Sequence, residues 1–197
     1  MKKYKNVQEL FKDLPDTVLL VGNGKLDNKG ELIDSYDFVI RFNDFELDGY
    51  EKDNGSKVDA ISLHCSDFTF SHTKSMEKNY QRYRETSYIF TTSPRFTHSK
   101  NDILHPHSDY QLISVYRPIQ FKPELRLSSG TSLVLNLSLF FNKNVHLIGF
   151  DFMNSGHYWD PNFSNAKFWE KMGNKIPAHD PNFEKNLISK LNSVTLL

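Results

Sequence analysis

Apolar positions along this chain fall into two kinds of run, one spaced as on a helix face and one continuous. Residues 4–14 (YKNVQELFKDL) place Val7, Leu10, Phe11 and Leu14 on a single helical face, and Pro15 stops that helix. It reads as a cover for a sheet. Thr17 to Val21 is instead an unbroken β-branched and leucine run that ends at Gly22-Asn23-Gly24, as a buried parallel strand does on entering a ligand loop. A short helix around Glu31 to Ser35 precedes a second strand over Asp37 to Arg41; Val58 to Leu63 gives a third and Ser87 to Thr92 a fourth, with a polar helical segment near 72–84 between them. Pro94, Pro106, Pro118 and Pro123 break residues 93–126 into loops and short elements. Leu133 to Phe141 is apolar nearly all round, which predicts a buried helix, and Val145 to Gly149 is a short strand ending at the glycine. An aromatic helix near 162–171 follows, then one opened by Asp180-Pro181. This alternation predicts an α/β fold, a mostly parallel, Rossmann-like sheet flanked by helices on both faces, with ligands at the carboxyl ends of its strands.

The 197 residues suit a single domain over 1–197, without internal repeat or linker, and long enough to bury a core. With 24 basic against 24 acidic residues, net charge implies no nucleic-acid partner. Lys2, Lys3 and Lys5 read as a solvated N-terminus, so any membrane contact is expected to be at most peripheral. Cys65 is the only cysteine, which rules out an internal disulfide; with no signal peptide and no long apolar span, the expected setting is cytoplasmic. The eight histidines do not cluster with cysteines at zinc spacing, His105 and His107 form only a weak HxH, and no Asp-x-Asp clamp is present, so no metal and no cofactor are expected.

Three stretches carry candidate chemistry. Asn23 and Asn43 each end a strand, where an asparagine offers donors and acceptors to a nucleotide's sugar or phosphate; both serve equally well as turn residues. The glycines fit no dinucleotide fingerprint, since Gly22, Gly24 and Gly30 do not give GxGxxG, and Leu26 follows Gly24-Lys25 where a P-loop needs Ser or Thr. Ser128, Ser129, Gly130 and Thr131 read as the cap and first turn of the apolar helix, a helix start that attracts anions. His179 stands just before Asp180, a good N-cap, and Pro181, a good first helical residue. The positive helix end disfavours a charged ring there, leaving a neutral imidazole able to accept a proton near neutrality, and Glu184 could restrain that ring or bind an acceptor hydroxyl. A capped helix with an exposed histidine beside it accounts for the same pattern.

Four motifs in order resemble the sialyltransferases of glycosyltransferase family 29, from about Val18 to Leu191. VGNG at 21–24, IDSYDFVIRFN at 33–43 and Gly55-Ser56-Lys57 resemble the family's large motif, and SSG at 128–130 with LVL at 133–135 and LIGF at 147–150 resembles the small one. HYWD at 157–160 resembles the third, and His179 with Glu184 keeps the HxxxxE spacing of the last. The resemblance implies a metal-independent, inverting transferase of the GT-A-variant type that moves sialic acid from CMP-sialic acid to a glycan hydroxyl on an oligosaccharide or glycolipid. It further implies that Asn23 and Asn43 hold the CMP phosphate and ribose. Ser128, Ser129, Gly130, Thr131, Gly149 and Phe150 would line the nucleotide site. The catalytic set would be His157, donating to the departing phosphate, His179, taking the acceptor's proton, and Glu184.

The chain also departs from the family pattern. Val18 and Asn142 stand where vertebrate members carry the cysteines that join the large and small motifs, Leu127 replaces a proline, and Asp160 replaces a glutamate. Those members have a membrane anchor and stem, whereas a small, soluble, microbial or viral form is expected here. A transferase using CMP-Kdo, or a CMP- or glycan-binding module without transfer, is the alternative reading.

Overall fold

The computed structural model describes residues 4, 7–63, 86–91, 111–114, 127–158, 160–162 and 179–197. Seven strands form one sheet in the order β5-β4-β3-β2-β1-β6-β7: β1 (Thr17–Val21), β2 (Val39–Phe42), β3 (Ala60–Leu63), β4 (Tyr88–Thr91), β5 (Gln111–Ser114), β6 (Asn144–Ile148) and β7 (Val194–Leu196). Each neighbouring pair is parallel, so the described sheet is parallel throughout. β1 lies between β2 and β6, with Leu19 opposite Val39 on one side and His146 on the other. Both of its faces are covered. Val18 and Leu20 enter a cluster with Leu10 and Phe11 of α1 (Val7–Asp13) and Leu133 and Leu137, whereas Leu19 and Val21 meet Ile33 of α2 (Gly30–Asp34). Fully burying each such side chain is worth about 1.5–3 kcal/mol, and Phe11 adds edge-on contacts to Phe90 (5.5 Å) and Phe141 (5.1 Å).

Two strands and one helix go beyond the sequence reading. β5 lies in the proline-broken stretch and β7 follows the last helix. The helix α3 (Glu51–Asn54) packs so closely on α2 that a methyl on Gly30 would stand 2.0 Å from the Glu51 carbonyl oxygen. The second strand runs one residue past Arg41 and buries it; its guanidinium donates to the carbonyls of Asn54 (2.6 Å), Lys57 (3.0 Å) and Gly55 (3.3 Å).

Burial of the central helix holds only in part. α4 (Ser129–Leu135) is buried from Thr131 onward, but it continues as a π-helical turn over Asn136–Phe140 that leaves Leu139 and Phe140 53% and 61% exposed. The wider turn shifts the side chains off the 3.6-residue face on which the expectation rested. Asn142, at φ 51°, then redirects the chain, and the buried Lys143 donates to the Leu14 carbonyl (2.6 Å) just beyond α1. The segment near 72–84, the aromatic stretch 163–171, most of 93–126, Cys65, His105, His107 and the lysines at 2, 3 and 5 lie outside the described residues.

The strand order reverses at β1, whose neighbours are β2 and β6. A sheet of this kind opens its ligand crevice outside the carboxyl ends of the two strands at that switch, here the ends carrying Gly22 to Gly24 and Gly149.

Candidate active site

The turns after β1 and β6 are laced together by their backbones. Gly22 N–H donates to the Ile148 carbonyl (2.8 Å) and Gly24 N–H to that of Gly149 (2.9 Å). A methyl on Gly22 or Gly24 would stand 2.4 or 2.7 Å from the Gly149 oxygen, and Gly149 itself sits at φ +69°. These glycines therefore serve the approach of one turn to the other. Gly149→Ala is expected to incur about 1–2 kcal/mol of left-handed backbone strain, lowering Tm by about 2–8 °C in calorimetry; an unchanged Tm would contradict this packing.

Asn23 and Asn43 are brought to adjacent strand ends, and the structure restricts what the first can offer. The Asn23 Nδ2 donates to the carbonyls of Asp44 (2.9 Å) and Phe42 (3.3 Å). Two carbonyls accept only, which fixes the amide orientation and commits both of its hydrogens. In this arrangement the Asn23 side chain offers a nucleotide its acceptor Oδ1, suited to a hydroxyl or amine. Asn43 holds φ 50°, a left-handed position asparagine tolerates, and its N–H donates to the Ser62 carbonyl (3.0 Å).

The start of α4 is organised by α5 (Pro181–Ile188). Asp180 caps α5 through the Phe183 N–H (2.9 Å), which fixes Glu184 one turn in, and the Glu184 carboxylate is 1% exposed. Its Oε1 accepts the Ser128 N–H (2.8 Å), and its Oε2 accepts the hydroxyls of Ser128 and Thr131, each at 2.5 Å. Ser128 in turn caps α4, its Oγ accepting the Thr131 N–H (3.2 Å). The anion at this helix start is thus the protein's own carboxylate, where the sequence predicts a ligand's. His179 is held beside it, Nδ1 lying 3.8 Å from Glu184 Oε1. Gly130 likewise makes room for protein, since a methyl there would stand 2.8 Å from the Phe150 ring, which packs edge-on against Phe42 (5.6 Å).

His157 is carried by a loop pinned at two points. The Tyr158 N–H donates to the Asn23 carbonyl (2.9 Å), and the Tyr158 hydroxyl accepts the Glu46 N–H (2.9 Å) while donating to the Glu46 carbonyl. Tyr50 stands edge-on to the Tyr158 ring (5.1 Å). The role of Tyr158 leaves little trace in sequence, because its partner contributes backbone only. Burial pushes the His157 imidazole below its ordinary value of 6.5, against the opposing pull of Asp160 and Asp151. Near neutrality the ring is neutral and donates as an N–H. Because the unfolded chain binds this proton more readily, the stability His157 contributes is complete above 6.5 and is lost as pH falls toward the lowered value. An NMR titration is expected to put its midpoint under 6.5, and His157→Gln to flatten the acid side of the stability profile; a midpoint above 6.5 would reverse the sign.

A cleft of about 300 Å³ opens over these strand ends, lined in part by Gly24, Gly149 and Phe150. Contacts link His179 through Glu184 to Ser128 and Thr131, Gly130 to Phe150, and the turn at Gly149 to that of Asn23 and on to the His157 loop. Among the described residues no group of three or more His, Cys, Asp or Glu stands close enough to hold a metal ion. Among them, too, no helix is long and apolar enough to cross a membrane.

Residues 17–95, which include β1, the turn at Asn23 and β2 to Asn43, match the model of glycosyltransferase family 29 (sialyltransferase). The chain is 28% identical over 188 residues to the CMP-N-acetylneuraminate-beta-galactosamide-alpha-2,3-sialyltransferase 1 of Sus scrofa, covering 88% of this chain and 53% of that enzyme. The chain thus spans about half the length of this curated relative. Two crystal structures share its fold, both at TM-score 0.57 and 20% identity. One is of a mammalian sialyltransferase alone (100% of this chain, 80% of that one), the other of a mammalian sialyltransferase with Gal-beta-1-3GalNAc-ortho-nitrophenol (97% and 77%). The matched segment carries both asparagines, while Ser128, His157, His179 and Glu184 lie beyond it and reach it through the contacts above.

Proposed function

We propose that this chain transfers a sialic acid from its CMP ester to a glycan hydroxyl, inverting the anomeric centre and using neither metal nor cofactor. The observation that carries the reading is His179, set at the N-terminus of α5 and held by the buried Glu184 that also locks the SSG turn. A half-buried imidazole is suited to accept the proton of a weakly acidic hydroxyl as its oxygen attacks the anomeric carbon from the face opposite CMP. The C–O bond to the phosphate breaks as the new bond forms, and CMP departs as the phosphate monoester. His157, kept neutral by its burial, is suited to donate an N–H to the phosphate oxygen on which charge grows. The leaving group is already acidic, so this route needs no Lewis acid. The donor named for the pig relative, CMP-N-acetylneuraminate, and the β-galactosyl disaccharide bound in one fold neighbour support a sialic-acid donor and a galactose-ended glycan acceptor.

The test is CMP release from CMP-sialic acid by the purified protein, with and without lactose-type acceptors and in EDTA. Release that is stimulated by acceptor and resists EDTA is expected. Turnover of CMP-Kdo but not CMP-sialic acid would replace the donor, and CMP binding without release from either sugar would favour a binding module.

A further inference from the structure

The donor proposed above carries two negative charges, one on its phosphodiester and one on the sugar's carboxylate, and two of the groups expected to meet them are committed elsewhere. Glu184 fills the helix start at Ser128, and the Asn23 amide hydrogens go to backbone carbonyls. The cleft beside them has cations of its own. Lys25, from the turn after β1, and Lys185, the residue following Glu184 on α5, both line it, and among the described residues neither ammonium has a carboxylate or carbonyl partner. Both are exposed and on long stems, free to turn toward a ligand. The carboxylate lining the same cleft, Asp151, is bound into its own turn by the N–H groups of Met153 (2.9 Å) and Ser155 (2.8 Å) and by the Ser155 hydroxyl. The other described residues of the wall are apolar or glycine, Gly149 and Phe150 among them.

We propose that Lys25 and Lys185 are the anion-recognising pair of this cleft, holding the phosphate and the carboxylate of a CMP-linked sugar acid. The assignment rests on the donor reading above. It explains how a site whose helix start is already neutralised binds a dianion: two mobile point charges from separate elements stand in for a fixed anion hole. Neither lysine belongs to the four motifs, although each directly follows one of their residues.

The experiment is calorimetric titration of the full chain and of Lys25→Gln, Lys185→Gln and the double variant with CMP, cytidine and inorganic pyrophosphate, at two salt concentrations. The double variant is expected to bind CMP at least about tenfold more weakly, with a flatter salt dependence, while cytidine binding stays within twofold and Tm is unchanged. CMP affinity within twofold of the parent in the double variant would overturn the lysine assignment and leave the donor reading intact. Lysine-dependent binding of pyrophosphate without binding of CMP or cytidine would overturn the donor reading and the ligand named here, and would leave the pair as a site for another anion.

Discussion

His179→Ala is expected to lower acceptor-dependent transfer by about a hundredfold to ten-thousandfold, the usual contribution of a positioned base, while changing CMP affinity by less than twofold. The asymmetry follows from where the ring stands. His179 is the residue before the cap of α5, its side chain 19% exposed, and its Nδ1 faces the buried Glu184 at 3.8 Å. Among the described residues this ring does not line the cleft at Gly24, Gly149 and Phe150. The loss should therefore fall on kcat at saturating donor, with the donor KM little moved, which is the signature of a group acting in the transition state. Steady-state kinetics beside calorimetric CMP binding would check both halves. A variant retaining transfer within threefold would remove His179 from the mechanism, and a loss that followed CMP affinity would make the ring a nucleotide ligand instead.

The parts of this molecule that were legible in its sequence are those whose cause is local. β1 is read residue for residue because a strand buried on both faces is a continuous apolar run, and α1 because its three buried side chains keep helical spacing. The caps at Ser128 and Asp180 are equally local, each a side chain bonded three residues on. What was not legible depends on distant partners. α3, with the sequence EKDN, has no apolar face of its own and exists where α2 abuts it. β7 is three residues long and joins the sheet on the outer side of β6, so its Thr195 and Leu196 are exposed and alternation gives no signal. In the site, a glycine needed by another backbone looks in sequence the same as one needed by a ligand, and at Gly22, Gly24 and Gly149 the other backbone is the reason. Glu184 and Ser128 are 56 residues apart, a separation at which a hydrogen bond writes no pattern into the chain.

That long-range contact gives the other large expected effect. Glu184→Ala should lower Tm by about 6–36 °C, because the Ser128 N–H and the hydroxyls of Ser128 and Thr131 lose their acceptor in a buried place, at about 1–3 kcal/mol for each group left unsatisfied and about 2–4 °C per kcal/mol in a chain of this size. Rotation of the two hydroxyls toward other acceptors sets the lower end of that range. Glu184→Gln separates structure from chemistry. Its carbonyl can still accept the Ser128 N–H, and its amide can donate to hydroxyl oxygens that have reversed their roles, so most of the stability should survive. The charge facing His179 Nδ1 does not survive. If Glu184 positions the base and stabilises it once protonated, the glutamine variant should fold with a Tm near the parent's yet lose kcat, and the base limb of its pH–rate profile should move. If the carboxylate only caps α4, the glutamine variant should keep its kcat and its profile. A Tm for Glu184→Ala within about 2 °C of the parent would show that the cluster around Ser128 does not hold the two helix starts together, and His179 would then owe its position to the Asp180 cap alone.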